Sequence, residues 1–193
     1  MLVVGLGNPG PQYAATRHNV GFLAIDAFAN SRVGGRVVFV ARFQGQYAEF
    51  ELGGTSVALL KPETFMNASG LSVAVAVSSL NVAPEAVLVV HDELDLGFAE
   101  LRLKSGGGDG GHRGLRSISA ELGSPNYGRL RLGIGRPPPN FAGDVADFVL
   151  QAFALEERNE LPQVLASASR AIEAVIVDGL SRTMNRTNQR TVR

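Results

Sequence analysis

Short apolar runs that end abruptly in glycine or charged residues constrain the fold of this chain more than any other feature. The run at residues 2–6 ends in G-N-P-G, and the run at residues 86–90 ends in H-D-E-L-D. Apolar side chains at consecutive positions predict strands that are covered on both faces of a sheet. The glycine, proline and charged residues that follow predict loops at the ends of these strands.

The rest of the chain alternates between strand and helix patterns. Further strands are predicted at residues 36–43, 46–52, 55–60, 100–104 and 129–134, the first three as an antiparallel meander. Helices are predicted at residues 20–30, with Asn19 as N-cap, and at 69–80, 113–122 and 155–177. We therefore expect a single α/β domain over residues 1–193, with a mixed, twisted sheet of parallel and antiparallel strands covered by helices on both faces.

Composition limits the chemistry and the setting of the protein. The sequence contains no cysteine, so disulfides and thiolate catalysis are excluded and its 3 histidines become the candidate bases near neutral pH. The 18 basic residues balance the 18 acidic ones, so the net charge provides no general attraction to nucleic acid. The N-terminal apolar run is too short for a signal peptide or a membrane span. We expect a cytoplasmic protein that makes no membrane contact.

Basic residues are concentrated around a glycine-rich stretch and at the C-terminal end. Residues 106–114 contain six glycines, which suits a hinge or a surface for phosphates, although the P-loop motif is absent. The surrounding segment, residues 104–136, carries cations but contains only Asp109 and Glu121 as acids. The cations of this cluster are Lys104, Arg113, Arg116, Arg129, Arg131 and Arg136. Residues 181–193 add Arg182, Arg186, Arg190 and Arg193.

The first loop imitates the dinucleotide-binding fingerprint. Glycines at residues 5, 7 and 10 follow a predicted strand as G-x-G-x-x-G. However, Pro9 and Pro11 flank the third glycine, and a polar segment precedes the helix that should bind the pyrophosphate. The acidic residue expected farther along, Asp26, falls inside the helix instead of following a second strand. A nucleotide-dependent oxidoreductase remains as an alternative function.

Polar side chains follow two of the predicted buried strands. Asn8, Tyr13 and His18 follow the first, and Asp92 follows the strand at residues 86–90. Since open α/β sheets place their sites at such strand ends, we expect Asp92 to reach a ring nitrogen of His18. A carboxylate there fixes the imidazole tautomer and makes the other nitrogen a better base toward water. The neighbouring His91, Glu93 and Asp95 are interpreted as strand-end polar groups.

A metal site is the alternative use of these acids and histidines. His91, Asp92, Asp95 and His112 supply ligand types that metals prefer. No H-E-x-x-H or similar ligand spacing is present, so we expect neither a metal nor a cofactor.

The segment T-F-M-N contributes two further candidates. Asn67 precedes a predicted helix, where it either caps the helix or uses its neutral carboxamide to recognise a peptide amide or a water. Phe65 either belongs to the core or offers an aromatic face to a base or side chain.

Six motifs along the chain together resemble the bacterial peptidyl-tRNA hydrolases. They are G-L-G-N-P-G-x-x-Y-x-x-T-R-H-N, T-F-M-N-x-S-G, H-D-E-L-D-L, L-K-x-G-G-G-x-G-G-H-x-G-L, R-L-R-L-G-I-G-R-P and D-G-L-x-x-x-M-N-R. They run in the family's order through residues 3–186. One position departs from the family pattern, because Arg113 stands where the family usually has asparagine after G-G-H.

The resemblance implies a monomeric enzyme that cleaves the ester joining a peptide to the 3′ ribose of tRNA. It implies that His18 is the base, that Asp92 supports it, and that Asn8 helps distinguish blocked from free aminoacyl groups. It places Tyr13, Phe65 and Asn67 along the substrate and Lys104 and Arg131 at the tRNA 5′-phosphate. For Arg113 we expect contact with a phosphate or a terminal base.

The biological role implied by the resemblance is recycling of tRNA from peptidyl-tRNA that drops off, or is released from, stalled ribosomes, with the 50S subunit as a possible partner. The chemistry agrees, since an activated ester needs only a positioned water, a base and donors for the oxyanion. A non-catalytic RNA-binding relative is the remaining alternative, but it would not need His18 and Asp92 as a pair.

Overall fold

Seven strands form a mixed sheet at the centre of the structure, a computed structural model that describes residues 1–31 and 37–189. The strands are β1 (Leu2–Gly5), β2 (Val40–Arg42), β3 (Gly45–Leu52), β4 (Thr55–Pro62), β5 (Val87–Glu93), β6 (Leu101–Ser105) and β7 (Gly128–Gly133). Their order is β2-β3-β4-β1-β5-β7-β6. Strands β4, β1, β5 and β7 run parallel, and β2, β3 and β6 add antiparallel pairs at the two ends.

Helices cover both faces of this sheet. They are α1 (Val20–Asn30), α2 (Ser69–Ser79), α3 (Arg113–Leu122), α4 (Val145–Val149), α5 (Leu155–Asp178) and α6 (Leu180–Gln189). On β1, Val3 shares a core cluster with Ile25 of α1 and Ile172 of α5, whereas Leu2 and Val4 share the opposite cluster with α2 and α3. The predicted α/β fold with a mixed sheet and helices on both faces is confirmed. Among the described helices, none combines the length and the apolar character needed to cross a bilayer.

Most predicted elements are present, but the strand predicted at residues 36–43 was too long. Helices 20–30 and 113–122 have the predicted bounds, and the antiparallel meander is formed by β2, β3 and β4. Within the described residues 37–43, only Val40–Arg42 form a strand, and all three of these residues are exposed. Residue 36 lies outside the described residues. An edge strand has a single neighbour, so β-branched composition alone does not extend its pairing.

Two helices were not predicted from the sequence. Helix α4 has only five residues, which is too short to show a helical period. Asp144 is its N-cap, and the Asp144 side chain accepts the backbone N–H of Asp147. Helix α6 occupies most of the segment predicted as a basic tail. Its Asn188 amide bonds both the N–H and the carbonyl of Leu103 and thereby covers the open edge of β6. Arg190 and Arg193 lie outside the described residues.

The parallel strands determine where polar loops meet. Strand β1 lies between β4 and β5, and the carboxyl ends of these three strands share one edge of the sheet. The loop at residues 6–19, the segment at residues 63–68 and the end of β5 therefore come together. This is the location at which open α/β sheets place ligand sites.

Candidate active site

His18 and Asp92 form a hydrogen-bonded pair at this edge of the sheet. His18 lies on a short 3-10 turn, Arg17–Asn19, immediately before α1. Its Nδ1 is 2.9 Å from both carboxylate oxygens of Asp92, so the predicted contact is present. The side chain of His18 is 13% exposed and that of Asp92 is 3% exposed. The imidazole is therefore mostly buried but still reaches solvent, whereas its carboxylate partner is almost fully buried.

Asp92 also binds a second histidine. Nε2 of His112 lies 2.9 Å from Oδ1 of Asp92, so two rings share one buried carboxylate. Burial by itself raises the pKa of Asp92, but the charges and hydrogen bonds of His18 and His112 outweigh burial and hold this pKa well below its usual range. Asp92 is therefore ionised at any working pH.

Backbone contacts determine the tautomer of His112. Its Nδ1 accepts the N–H groups of Gly114 and Leu115, so His112 is the N-cap of α3. Since Nδ1 is an acceptor, the ring proton of neutral His112 is on Nε2 and points at Asp92. The sequence indicated His112 as one of three candidate bases and as an alternative metal ligand, but not as a helix cap. Its position directly before a predicted helix is the signal that could have identified it as a capping residue.

This proton arrangement argues against a metal at the pair. The alternative metal set of His91, Asp92, Asp95 and His112 is not brought together among the described residues, because Asp95 instead binds Arg136 at the surface. His18, Asp92 and His112 do bring three ligand atoms within 4.8 Å of one another. A metal would have to displace the Nε2 proton of His112 while Nδ1 continued to accept backbone N–H groups, which would require an imidazolate. The donor set therefore suits protons better than a metal.

His91 has a structural role beneath the site. Its Nδ1 lies 2.7 Å from the backbone carbonyl of Asp92, and its ring packs edge-on against His112 with centroids 5.0 Å apart. Burial, with a smaller effect from His112, lowers the pKa of His91 to about 3. This neutral, buried ring therefore holds the backbone of Asp92 and packs against His112 from within β5.

Asn8 is fixed by contacts on both its backbone and its side chain. The sequence predicted Asn19 as the N-cap of α1, and Asn19 does occupy that position, but its side chain makes no capping hydrogen bond. The Asn19 amide instead bonds the backbone N–H and carbonyl of Asn8 at 2.9 and 3.0 Å. Oδ1 of Asn8 accepts the N–H of Met66 at 2.8 Å. The Nδ2 group of Asn8 binds no other residue in the described part of the chain. Asn8 therefore presents a donor to the site.

Three further predicted site residues lie at the surface of the same edge. Phe65 is 59% exposed, so it is not a core residue. Asn67 is exposed in the 3-10 turn Met66–Ala68, and the N-cap position of α2 is occupied by Ala68, so Asn67 is not the cap. Tyr13 is half-buried in the turn Pro11–Tyr13. Tyr13 belongs to the loop that carries His18, and the segment of Phe65 and Asn67 contacts this loop through the Met66 N–H, which donates to Asn8.

The basic cluster is more neutralised than the sequence indicated. Three of its arginines form ion pairs: Arg116 with Asp109, Arg131 with Glu93 and Arg136 with Asp95. Glu93 ends β5 and Asp95 lies two residues beyond it, and β5 lies beside β7 in the sheet. The proximity of these acids to the arginines was not visible in the spacing along the chain. Exposed Lys104 and Arg113 form no ion pair with any residue that the structure describes.

Arg129 anchors the glycine-rich loop from inside. It is buried, and its guanidinium donates to the carbonyls of Gly107 and Gly108 at 2.6 and 2.5 Å. Gly107 has φ 101°, a conformation that favours glycine. Arg129 was counted from the sequence among the cations of the basic cluster, but its buried contacts make it part of the structure of the loop.

Lys104 and Arg131 line a common surface cavity of about 430 Å³. Arg131 pairs with Arg102 across the β6–β7 ladder, two residues from Lys104, so both side chains lie on one face of the sheet. Met184 of α6 contributes to the same cavity. The cavity is lined by cations and open to solvent, which suits an anion.

The geometry of a dinucleotide site is not present at the first loop. Helix α1 begins ten residues after Gly10, and two 3-10 turns lie between them. Asp26 lies within α1 and binds Nζ of Lys61 at 2.5 Å. The pyrophosphate and ribose contacts of the fingerprint therefore have no equivalent here.

The fold and the site define a class: α/β proteins with a histidine–carboxylate pair at the carboxyl ends of parallel strands, an arrangement typical of hydrolases. Comparison with known proteins makes the assignment specific. The peptidyl-tRNA hydrolase family matches residues 2–193, and the chain belongs to this family.

Individual relatives agree over nearly the whole length. A peptidyl-tRNA hydrolase of Sorangium cellulosum is 50% identical over 190 residues, covering 98% of this chain and 84% of that protein. One of Mycolicibacterium smegmatis is 45% identical over 185 residues, covering 96% of this chain and 95% of that protein. A crystal structure of peptidyl-tRNA hydrolase from Acinetobacter baumannii is similar with a TM-score of 0.87 and 38% identity, covering 97% of this chain and 93% of that one.

Proposed function

We propose that the protein hydrolyses the ester between a peptide and the 3′ ribose of tRNA. The observation that carries this proposal is the His18–Asp92 pair, whose Nδ1 contact leaves Nε2 of His18 directed away from the carboxylate. No described residue hydrogen-bonds that Nε2. Membership in the peptidyl-tRNA hydrolase family supports the choice of substrate.

In the proposed reaction, Nε2 of His18 removes a proton from a water molecule as the water attacks the ester carbonyl. Asp92 accepts the Nδ1–H bond throughout and stabilises the imidazolium. The carbonyl carbon gains a bond to the water oxygen and loses its bond to the ribose 3′ oxygen, which takes the proton from His18. The products are a free peptide and a tRNA with a 3′ hydroxyl, and neither a metal nor a covalent intermediate is needed.

The asparagines supply recognition in this proposal. Nδ2 of Asn8 is the free half of an otherwise fixed amide, so Asn8 donates to a carbonyl oxygen of the substrate. The exposed amide of Asn67 both donates and accepts, which suits a peptide group. Tyr13 and Phe65 line the path of the peptide or of the terminal base.

The decisive assay compares N-acetyl-aminoacyl-tRNA with the same tRNA carrying a free amino acid. We expect cleavage of the blocked ester and little cleavage of the free one, in EDTA as in plain buffer, because Asn8 and Asn67 can bind an amide but offer no carboxylate to an ammonium group. Release of the labelled amino acid is measured. Equal cleavage of both esters would refute the specificity, and loss of activity in EDTA would favour a metal mechanism.

We further propose that Lys104, Arg113 and Arg131 contact phosphates of the tRNA. Lys104 and Arg131 share the cation-lined cavity, which suits the 5′-phosphate. Arg113 is the first residue of α3, next to His112, so it lies where the 3′ end would approach. An arginine at this position offers donors and a permanent charge in place of a neutral carboxamide.

Salt dependence tests these contacts. Lys104→Ala and Arg113→Ala should each raise KM for full-length substrate and reduce the salt slope of binding by about one charge, because neither cation has an acidic partner among the described residues. Arg131→Ala should reduce the slope less, since Arg131 is paired with Glu93 at 2.9 Å. The measurement is binding of peptidyl-tRNA across a range of salt concentrations.

Two controls locate each contact. Arg116→Ala removes an exposed arginine of the same region that is already paired with Asp109, and it should leave the slope unchanged. A minimal substrate without the 5′-phosphate should respond little to Lys104→Ala. Unchanged salt slopes in the Lys104 and Arg113 variants would show that neither residue contacts a phosphate of the tRNA.

The proposed setting follows from the proposed reaction. We propose a cytoplasmic monomer, folded as one domain, that recycles tRNA from peptidyl-tRNA lost by translating or stalled ribosomes, with the 50S subunit as a possible partner. The family match supports the substrate in this proposal.

A further inference from the structure

Arg17, the residue before His18, is buried although it carries a charge. Its side chain is 7% exposed. Nη1 donates to the carbonyl of Ala152 at 3.0 Å, and Nη2 donates to Oε2 of Glu157 at 2.7 Å. The guanidinium also lies over the ring of Phe148, 4.4 Å from its centroid. These partners all belong to the junction between α4 and α5, far along the chain from the turn that carries His18.

Backbone contacts make the same connection. The N–H of Arg17 donates to the carbonyl of Gln151 at 3.0 Å, and Thr16 forms an isolated antiparallel bridge with Ala152. On the other side of His18, Asn19 is held by its amide bonds to the backbone of Asn8. The residues on both sides of His18 are therefore buried and anchored, while the imidazole between them remains open to the site.

Stability alone does not account for an arginine at this position. Removing a guanidinium from water is costly, and Nε of Arg17 is buried without a partner in the described part of the chain. An apolar side chain against Phe148 and Phe153 would fill the same space without that cost. Only a branched donor reaches Ala152, Glu157 and the aromatic face together, so the contacts favour a role in fixing geometry.

We propose that Arg17 is a positioning residue for His18, acting together with Glu157. Their ion pair ties the turn Arg17–Asn19 to the start of α5 and so holds the imidazole against Asp92. The inference rests on the proposed function, because it assigns a role in ester hydrolysis. A small displacement of a reacting group is enough to lower a rate strongly, so the loss of this tie should affect turnover more than binding.

Glu157 offers a substitution that isolates the ion pair. Its Oε2 also accepts the N–H of Ala154 at 2.7 Å, in a capping-box contact at the start of α5. Glutamine can make the same capping contact, so Glu157→Gln removes the charge that faces Arg17 and preserves the helix start. Glu156, on the same turn, is exposed and makes no contact with Arg17. Glu156→Gln is therefore the matched control.

The test is steady-state hydrolysis of N-acetyl-aminoacyl-tRNA, with thermal unfolding recorded for each variant. Arg17→Lys and Glu157→Gln should each lower kcat by about tenfold and leave KM within about twofold, since only orientation is lost. The double variant should be little slower than Arg17→Lys, because both changes break one connection. Glu156→Gln should match the unsubstituted protein in both constants.

A lower Tm with unchanged kcat in Glu157→Gln would overturn the positioning role, as would losses in kcat that simply add in the double variant. If Arg17→Lys fails to fold, Glu157→Gln decides alone. If the unsubstituted protein does not cleave the blocked ester, the proposed function itself fails. If it does cleave the ester and the variants match it, only the role of Arg17 is contradicted.

Discussion

Replacing His18 by alanine should lower kcat for blocked aminoacyl-tRNA by about two to four orders of magnitude, the usual contribution of a general base. The affinity for tRNA should stay nearly intact, because the cations proposed to bind phosphates lie on β6, β7 and α3 and do not contact His18. The measurement is single-turnover cleavage together with equilibrium binding of the same substrate. A loss of turnover without a loss of affinity would identify His18 as a base, whereas a loss of affinity would identify it as a binding residue.

A rescue experiment sharpens this prediction. Imidazole added to His18→Ala should restore part of the lost turnover, since a small base can occupy the space beside Asp92. Near-normal turnover in His18→Ala would show that the proposed mechanism is wrong.

The sequence predicted the contact between His18 and Asp92 because both residues follow buried strands that end at one edge of the sheet. It could not predict that Asp92 also binds His112, because that contact depends on the N-cap geometry of α3. The pairing of Arg131 with Glu93 was also missed, since it arises only once β5 and β7 are neighbours in space.

Periodicity succeeded where an element is long and packs against the core, as in α1 and α3. It failed at β2, an exposed edge strand, and at α4, which is too short to show a period. Arg17 shows the same limit at the site. A lone arginine in T-R-H-N gives no sign in the sequence of its partner Glu157, and only the packing of α5 against α1 brings the two together.

Replacing Asp92 by asparagine should lower kcat by about two to four orders of magnitude, because it disturbs the tautomer of His18. In the structure, Nδ1 of His18 and Nε2 of His112 both direct a proton at the carboxylate. A neutral amide has one acceptor oxygen and one donor group, so it cannot accept from both rings. If its amino group faces His18, the imidazole must move its proton to Nε2, and the lone pair that removes a proton from water is lost.

The same substitution should reduce stability at neutral pH. Because the folded protein holds the pKa of Asp92 below its usual range, the ionised carboxylate stabilises the fold above the unfolded pKa, and this contribution is lost progressively as the pH falls from the unfolded pKa through the lower folded one. Urea unfolding at pH 7 should therefore show a lower free energy of unfolding for Asp92→Asn. Asp95→Asn, the same change at an exposed residue just beyond β5, is the matched control. Turnover of Asp92→Asn within tenfold of the unsubstituted protein would contradict the role of Asp92. A large loss in kcat with an unchanged KM would separate the effect of Asp92 on His18 from the effect of Asp92 on the fold.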